Sequence, residues 1–363
     1  MPSGPMPAPH GPPRPPPGWG PPPGRRTRRR WAFAGAALAF VTVAAVVAAL
    51  VLNRPHSSAH PAAPASAAPV GVWASSDDTG PANIITAEST CATWTPIGLA
   101  WLENSLVEGW AGTHPGQRNP LTVPGNRWTP AERTAMQATA NASRLAAVKT
   151  ASLVRTTQRR VMREYYEQFI AYARGFAAVI GDAYVPTNSL GATAESAFNA
   201  LVSICTTADS GIAKERSALV TAPSAPKQTA PPQDPTNPQR FLSTSDLGVC
   251  GDLLSVFKAH NTNQTVVDWD HSDHGVPADL WSPQQRALND AVTPLLLNLA
   301  DDVERTVQRS SNPVLQDFGV VSAQYLRAYV KGLPTYTRRD AELEGASRYT
   351  RLLITDACRA AGT

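Results

Sequence analysis

Trp128-Thr129-Pro130-Ala131-Glu132 and Trp281-Ser282-Pro283-Gln284-Gln285 are two versions of one phrase. In each, a hydroxyl residue precedes a proline, and an acid or amide stands three positions after the hydroxyl. That order is a capping box with proline at the first helical position, and tryptophan at the entrance acts as a staple. Each tryptophan also stands 77 residues before a cysteine, Trp128 before Cys205 and Trp281 before Cys358. Laying Val123 to Cys205 over Val276 to Cys358, at a constant offset of 153, pairs Arg133 with Arg286, Val154 with Val307, Tyr172 with Tyr325 and Arg174 with Arg327. The register extends backwards across a short gap, because Cys91 precedes Trp110 by the same 19 residues that separate Cys250 from Trp269. The chain therefore reads as one unit written twice.

Within each unit the apolar spacing is helical. Leu288, Val292, Leu295, Leu299, Val303 and Val307 fall at three- and four-residue steps, one buried stripe. A second stripe follows at Val314, Phe318, Val321, Tyr325 and Tyr329, matched by Val161, Tyr165, Gln168, Tyr172 and Phe176. Between the two stripes, Ser310-Ser311-Asn312-Pro313 stops one helix and starts another, and the weaker Thr156-Thr157-Gln158 marks the same break in the first unit. Four helices per unit follow, over 91–110, 130–156, 159–181 and 189–206, then 247–262, 283–309, 313–332 and 340–358. Pro294 is expected to kink its helix.

In an up-down bundle the start of the first helix and the end of the fourth share one end. The cysteines occupy those places, so the geometry predicts Cys91 with Cys205 and Cys250 with Cys358, each bridge closing a loop of over a hundred residues. Pairing across the units is the alternative.

The N-terminal part differs sharply from this. Residues 1–30 hold twelve prolines, six arginines and no acid, and read as a disordered leader with polyproline runs that a docking domain can grip. Residues 31–52 are 22 uncharged, largely apolar residues, the length of a membrane-spanning helix. Five arginines at 25–30 against Arg54 alone beyond the apolar run predict a cytoplasmic N-terminus and an extracytoplasmic remainder. An Ala/Pro/Ser stalk occupies 53–87. The expected order is then helical repeat 1 at 88–206, a proline-rich linker at 207–245, and helical repeat 2 at 246–363. With residues 1–54 set aside, 25 basic and 28 acidic residues remain, which argues against nucleic-acid binding.

The fold class expected is thus all-α, a single transmembrane helix followed by two tandem disulfide-stapled four-helix bundles. The sequence contains no phosphate-binding, nucleophile-elbow or zinc-protease motif, and no catalytic residue or cofactor is assigned. Two constellations carry a chemical alternative. Asp268, Asp270, His271, Asp273 and His274 alternate carboxylate and imidazole densely enough to suggest a divalent metal. Arg174 and Arg327, which recur beside the aromatic stripe, suggest an anion site. The recurring tryptophans fit bundle packing better than ligand stacking. In layout, with its proline-rich basic leader, single span, stalk and disulfide-bearing domain, the chain resembles uncharacterised cell-envelope proteins of high-GC Gram-positive bacteria. The resemblance carries no functional residue. The function expected is binding or scaffolding in the cell envelope, with the lipid bilayer, envelope proteins and a cytoplasmic polyproline-binding protein as partners. The alternatives are a metal-dependent envelope enzyme and a ligand sensor signalling through the leader.

Overall fold

A computed structural model describes residues 73–104, 118–186 and 189–362. Every regular element among them is helical. In chain order these are α1 (Cys91–Asn104), α2 (Pro130–Thr156), α3 (Arg160–Val179), α4 (Leu190–Asp209), the short α5 (Ile212–Ser217), α6 (Leu247–Asn261), α7 (Gln264–Asp270), α8 (Pro283–Val307), α9 (Pro313–Gly332) and α10 (Ala341–Ala361).

The expectation of a single-pass membrane protein is corrected here. No helix among the described residues is long and apolar enough to cross a membrane. The span expected at 31–52, like the leader and most of the stalk, lies outside the described residues. The membrane-anchored fold class, the bilayer as a partner, and the placement of the N-terminus in the cytoplasm with the rest outside the cell are accordingly withdrawn.

The two long helices start alike for the same local reason. Thr129 Oγ1 accepts from the Glu132 amide while the Glu132 carboxylate accepts from the Thr129 amide, and Ser282 and Gln285 repeat the exchange. The next helices start differently. Asn312 caps α9 with its own side chain and Pro313 supplies the first turn. Arg159, the corresponding residue before α3, offers no side-chain cap. There the carboxylate of Asp78 accepts from the Arg160 amide at 2.8 Å, so the first-half break is set by a residue far upstream. Helix α8 runs on through Pro294.

Cys91 at the start of α1 bonds to Cys205 near the end of α4, and Cys250 in α6 bonds to Cys358 near the end of α10. Residues 73–362 fall within one compact unit, and one core runs through both halves. The broadest helix–helix contact joins α4 to α10. At the crossing of α3 with α9, Tyr165 and Phe318 stack with ring centroids 4.4 Å apart, and these are corresponding residues at the 153 offset. Matching surfaces thus meet one another across the middle, the arrangement of an isologous dimer written in one chain.

Helix α3 is buried on nearly every side, charged residues included. Arg160 makes a bidentate pair with Asp317 (2.8 and 3.1 Å) and donates to the carbonyls of Asp78 and Gly80, which fixes residues 78–80 to the core. Arg163 donates to the Ala230 carbonyl, and Glu167 accepts from the Gln233 amide. Gln168 bonds the backbone of both Gln239 and Phe241. The proline-rich segment between the halves is thereby laid along α3, with Ala230 buried.

Candidate functional site

Corresponding positions in the two halves give the sharpest view of what the bundle itself requires. In the first half α1 and α2 enclose a groove of 390 Å³ lined by Ile97, Ala100, Trp101, Asn104, Ala138, Asn141, Ala142, Leu145, Ala146 and Lys149. In the second half α6 and α8 enclose one of 420 Å³ that includes Val256, Ala259, His260, Asn263, Leu295, Asn298, Leu299 and Asp302. These are the same place. Each of those eight second-half residues stands opposite a first-half lining residue, at an offset of 159 on the first helix and 153 on the second.

The floors differ in chemistry. Trp101 lies beneath the first groove, its indole donating to Ser143 Oγ, in edge contact with Phe169 and Phe198 at 5.3 Å. His260, Ser322 and Arg351 stand at the corresponding places in the second half. Arg351 donates to Ser347 Oγ at 2.5 Å and to Glu344 at 3.4 Å, and Arg348 bridges Glu344 (3.0 Å) and Asp270 (2.5 Å). Burial alone would raise the Glu344 carboxyl, but the two guanidinium groups hold it below its ordinary value. Burial, assisted by Arg351, pushes His260 down to about 4, so its imidazole is neutral at physiological pH. The first groove is floored by rings and the second by an ion network.

The walls differ as well. On α2, Ala138, Ala142, Leu145 and Val148 form an outward stripe at helical spacing, with Leu145 56 % and Val148 61 % exposed. Asn298 and Asp301 stand at the positions of Leu145 and Val148 on α8. Isolated exposed leucines are ordinary, but neighbouring ones beside a groove are not. Charge follows the same split. Helix α2 exposes Arg133, Arg144, Lys149 and Arg155, and its single carboxylate, Glu132, is buried against Arg118. Helix α8 carries Asp290, Asp301, Asp302 and Glu304 against Arg286 and Arg305.

The residues singled out for metal or anion binding fall as follows. Asp268 accepts from Gln264, Asp270 pairs with Arg348, and Asp273 accepts from the Gly275 amide. His271 closes the end of α7. His274 turns its ring edge to Trp269, with centroids 4.7 Å apart, and burial lowers its affinity for a proton. Among the described residues no group of three or more His, Cys, Asp and Glu is placed to hold a metal. Arg327 is taken by Asp301 and Glu304, while Arg174 is half-buried with Asp234 in its field. The sequence reading missed both the groove and the buried charges of α3. Leu145 and Val148 sit three apart, a spacing that a core stripe shares, so only the comparison with Asn298 and Asp301 marks them.

Fold and groove together define a disulfide-stapled helical-bundle protein with one apolar outer face. The chain belongs to the family described as "Mycobacterial ESX-1 associated protein", whose profile matches residues 73–362. An uncharacterised protein of Mycolicibacterium smegmatis (strain MKD8) is 35 % identical over 344 residues, covering 94 % of this chain and 89 % of that one. Both findings are consistent with the high-GC Gram-positive setting. No solved structure matches the chain.

Proposed function

We propose that this chain is a binding or scaffolding protein that works with protein partners in the setting its family name gives, association with ESX-1, and that it docks them on the α1/α2 face of the first half. In this reading 88–206 and 246–363 are tandem repeats joined by 207–245, and the first repeat has been turned outward for recognition. The observation that carries it is the exposed pair Leu145 and Val148, at positions where the second half folds with Asn298 and Asp301. Apolar side chains that the bundle does not need for folding, beside a groove, are what an interface requires.

The test is site-specific photocrosslinking in the mycobacterial cell from position 148 and, as the internal control, from position 301. Discrete protein adducts from 148 that are absent from 301 and lost on Leu145→Asn are expected. Equal adducts from the two positions, or none from 148, would refute the reading.

A further inference from the structure

From the same groove, and resting on the reading just given, we infer the chemistry of what docks there: an amphipathic α-helix whose apolar stripe is flanked by carboxylates. The shape of the groove sets the first half of this. It runs between two helices, and the stripe from Ala138 to Val148 covers about 15 Å of helix axis, at 1.5 Å per residue. Small residues at Ala100, Ala138, Ala142 and Ala146 allow close backbone approach, while Leu145 and Val148 stand proud beside them. A third helix laid along such a furrow meets it with residues at i, i+3, i+4 and i+7.

Charge sets the second half. Lys149 lines the groove, Arg144 stands on the far side of the stripe where it donates to the Ala177 carbonyl and to Asn141, and no exposed carboxylate lies anywhere on α2. The exposed acid of α1, Glu103, stands at the opposite end, beside Asn104. The lip at the Lys149 end is therefore cationic, and it rewards a helix that brings acids there. Charge also disfavours two other occupants. The chain's own apolar run at 31–52 is bounded by Arg25, Arg26, Arg28, Arg29 and Arg30 on one side and Arg54 on the other. A second copy offering the same face brings another Lys149 and no exposed carboxylate of α2. Each of these sets like charges together.

The test uses the full chain and two synthetic helical peptides of about 18 residues, sharing one Leu/Ala stripe and flanked by Glu in one and Lys in the other. Binding is read by fluorescence anisotropy at low and high salt, with self-association followed by sedimentation velocity. The Glu peptide should bind about ten-fold more tightly than the Lys peptide, and that margin should shrink as salt rises. Lys149→Glu should narrow or reverse the preference. Leu145→Asn with Val148→Asp should remove binding, and the milder Leu145→Gln with Val148→Thr should weaken it, both with an unchanged circular dichroism spectrum. Equal or tighter binding of the Lys peptide overturns the inference. So does a wild-type dimer that Leu145→Asn with Val148→Asp dissociates, which would make a second copy the occupant, and so does a groove crosslink to 31–52. If neither peptide binds while photocrosslinking from 148 still yields a discrete partner, the helix chemistry is wrong and the docking face stands. If crosslinking fails as well, both fall.

Discussion

The two halves of this chain keep the same groove and fill it with opposite chemistry. Trp101 lies under one and His260 under the other; Leu145 lines one with Val148 exposed a turn away, and Asn298 lines the other with Asp301 at the matching place. What both halves share, the capping box, the entrance tryptophan packed on a tyrosine and the disulfide from first helix to last, is what the bundle needs to form. What only one half has is free for other work. At its groove the first half sets rings beneath and exposed Leu145 and Val148 alongside, while the second sets an ion network beneath and Asn298 and Asp301 alongside.

The largest expected effect tests the shared part. The bridges close segments of similar length, 114 and 108 residues, so replacing either pair with serine should cost about 4–5 kcal/mol in the chain-entropy view, and the two losses should agree within about 1 kcal/mol. Chemical denaturation measures both. Clearly unequal losses would show that the two cores do not lean equally on their staples.

The interiors come next. Phe198→Ala should cost about 3–5 kcal/mol, because it opens a cavity against Trp94 and Trp101. Arg351→Met, at the corresponding position, should change stability by less than about 1.5 kcal/mol, since an apolar chain of similar volume replaces a buried ion and Glu344 keeps Arg348. A loss at Arg351 as large as that at Phe198 would mean the ionic interior is as structural as the aromatic one.

A third difference lies on α3, where Glu167 stands opposite Val320 of the second half. Burial raises the Glu167 carboxyl from 4.5 to about 7, although the Gln233 amide and Arg163 oppose the shift. A carboxyl raised in the folded state gives stability that is fully present below pH 4.5 and is lost as pH climbs through about 7. Wild-type stability should therefore fall between pH 5.5 and 8 by an amount on the order of 2 kcal/mol, and Glu167→Gln should flatten that slope. Thermal melts across this range decide it, and an unchanged slope would remove Glu167 as its source.

Much of the bundle was legible because its signals are local. The capping boxes, the Asn312-Pro313 restart and the cysteines at the ends of their helices all act within a turn or two. Features set by distant residues were not. Asp78 starts α3 from far upstream, and residues 230–241 read as a plain linker because nothing in their composition reveals Arg163, Glu167 and Gln168 waiting on α3. Arg163 and Glu167 are charged, so periodicity assigned them no buried role, and the stripe position of Gln168 gave no sign of its backbone partners. The Asp268–His274 cluster differs in the opposite way. Its residues are adjacent in sequence, yet helix α7 and the turn after it point them to separate partners.

The smallest change in stability carries the main claim. Leu145→Asn with Val148→Asp places on α2 the residues that α8 already tolerates, and at these exposed sites it should shift folding by no more than about 0.5 kcal/mol. The decisive measurement is anisotropy with the Glu-flanked peptide on this variant and on its reciprocal, Asn298→Leu with Asp301→Val. Binding should fall at least ten-fold in the first and not at all in the second. Binding that survives Leu145→Asn with Val148→Asp would contradict the main claim.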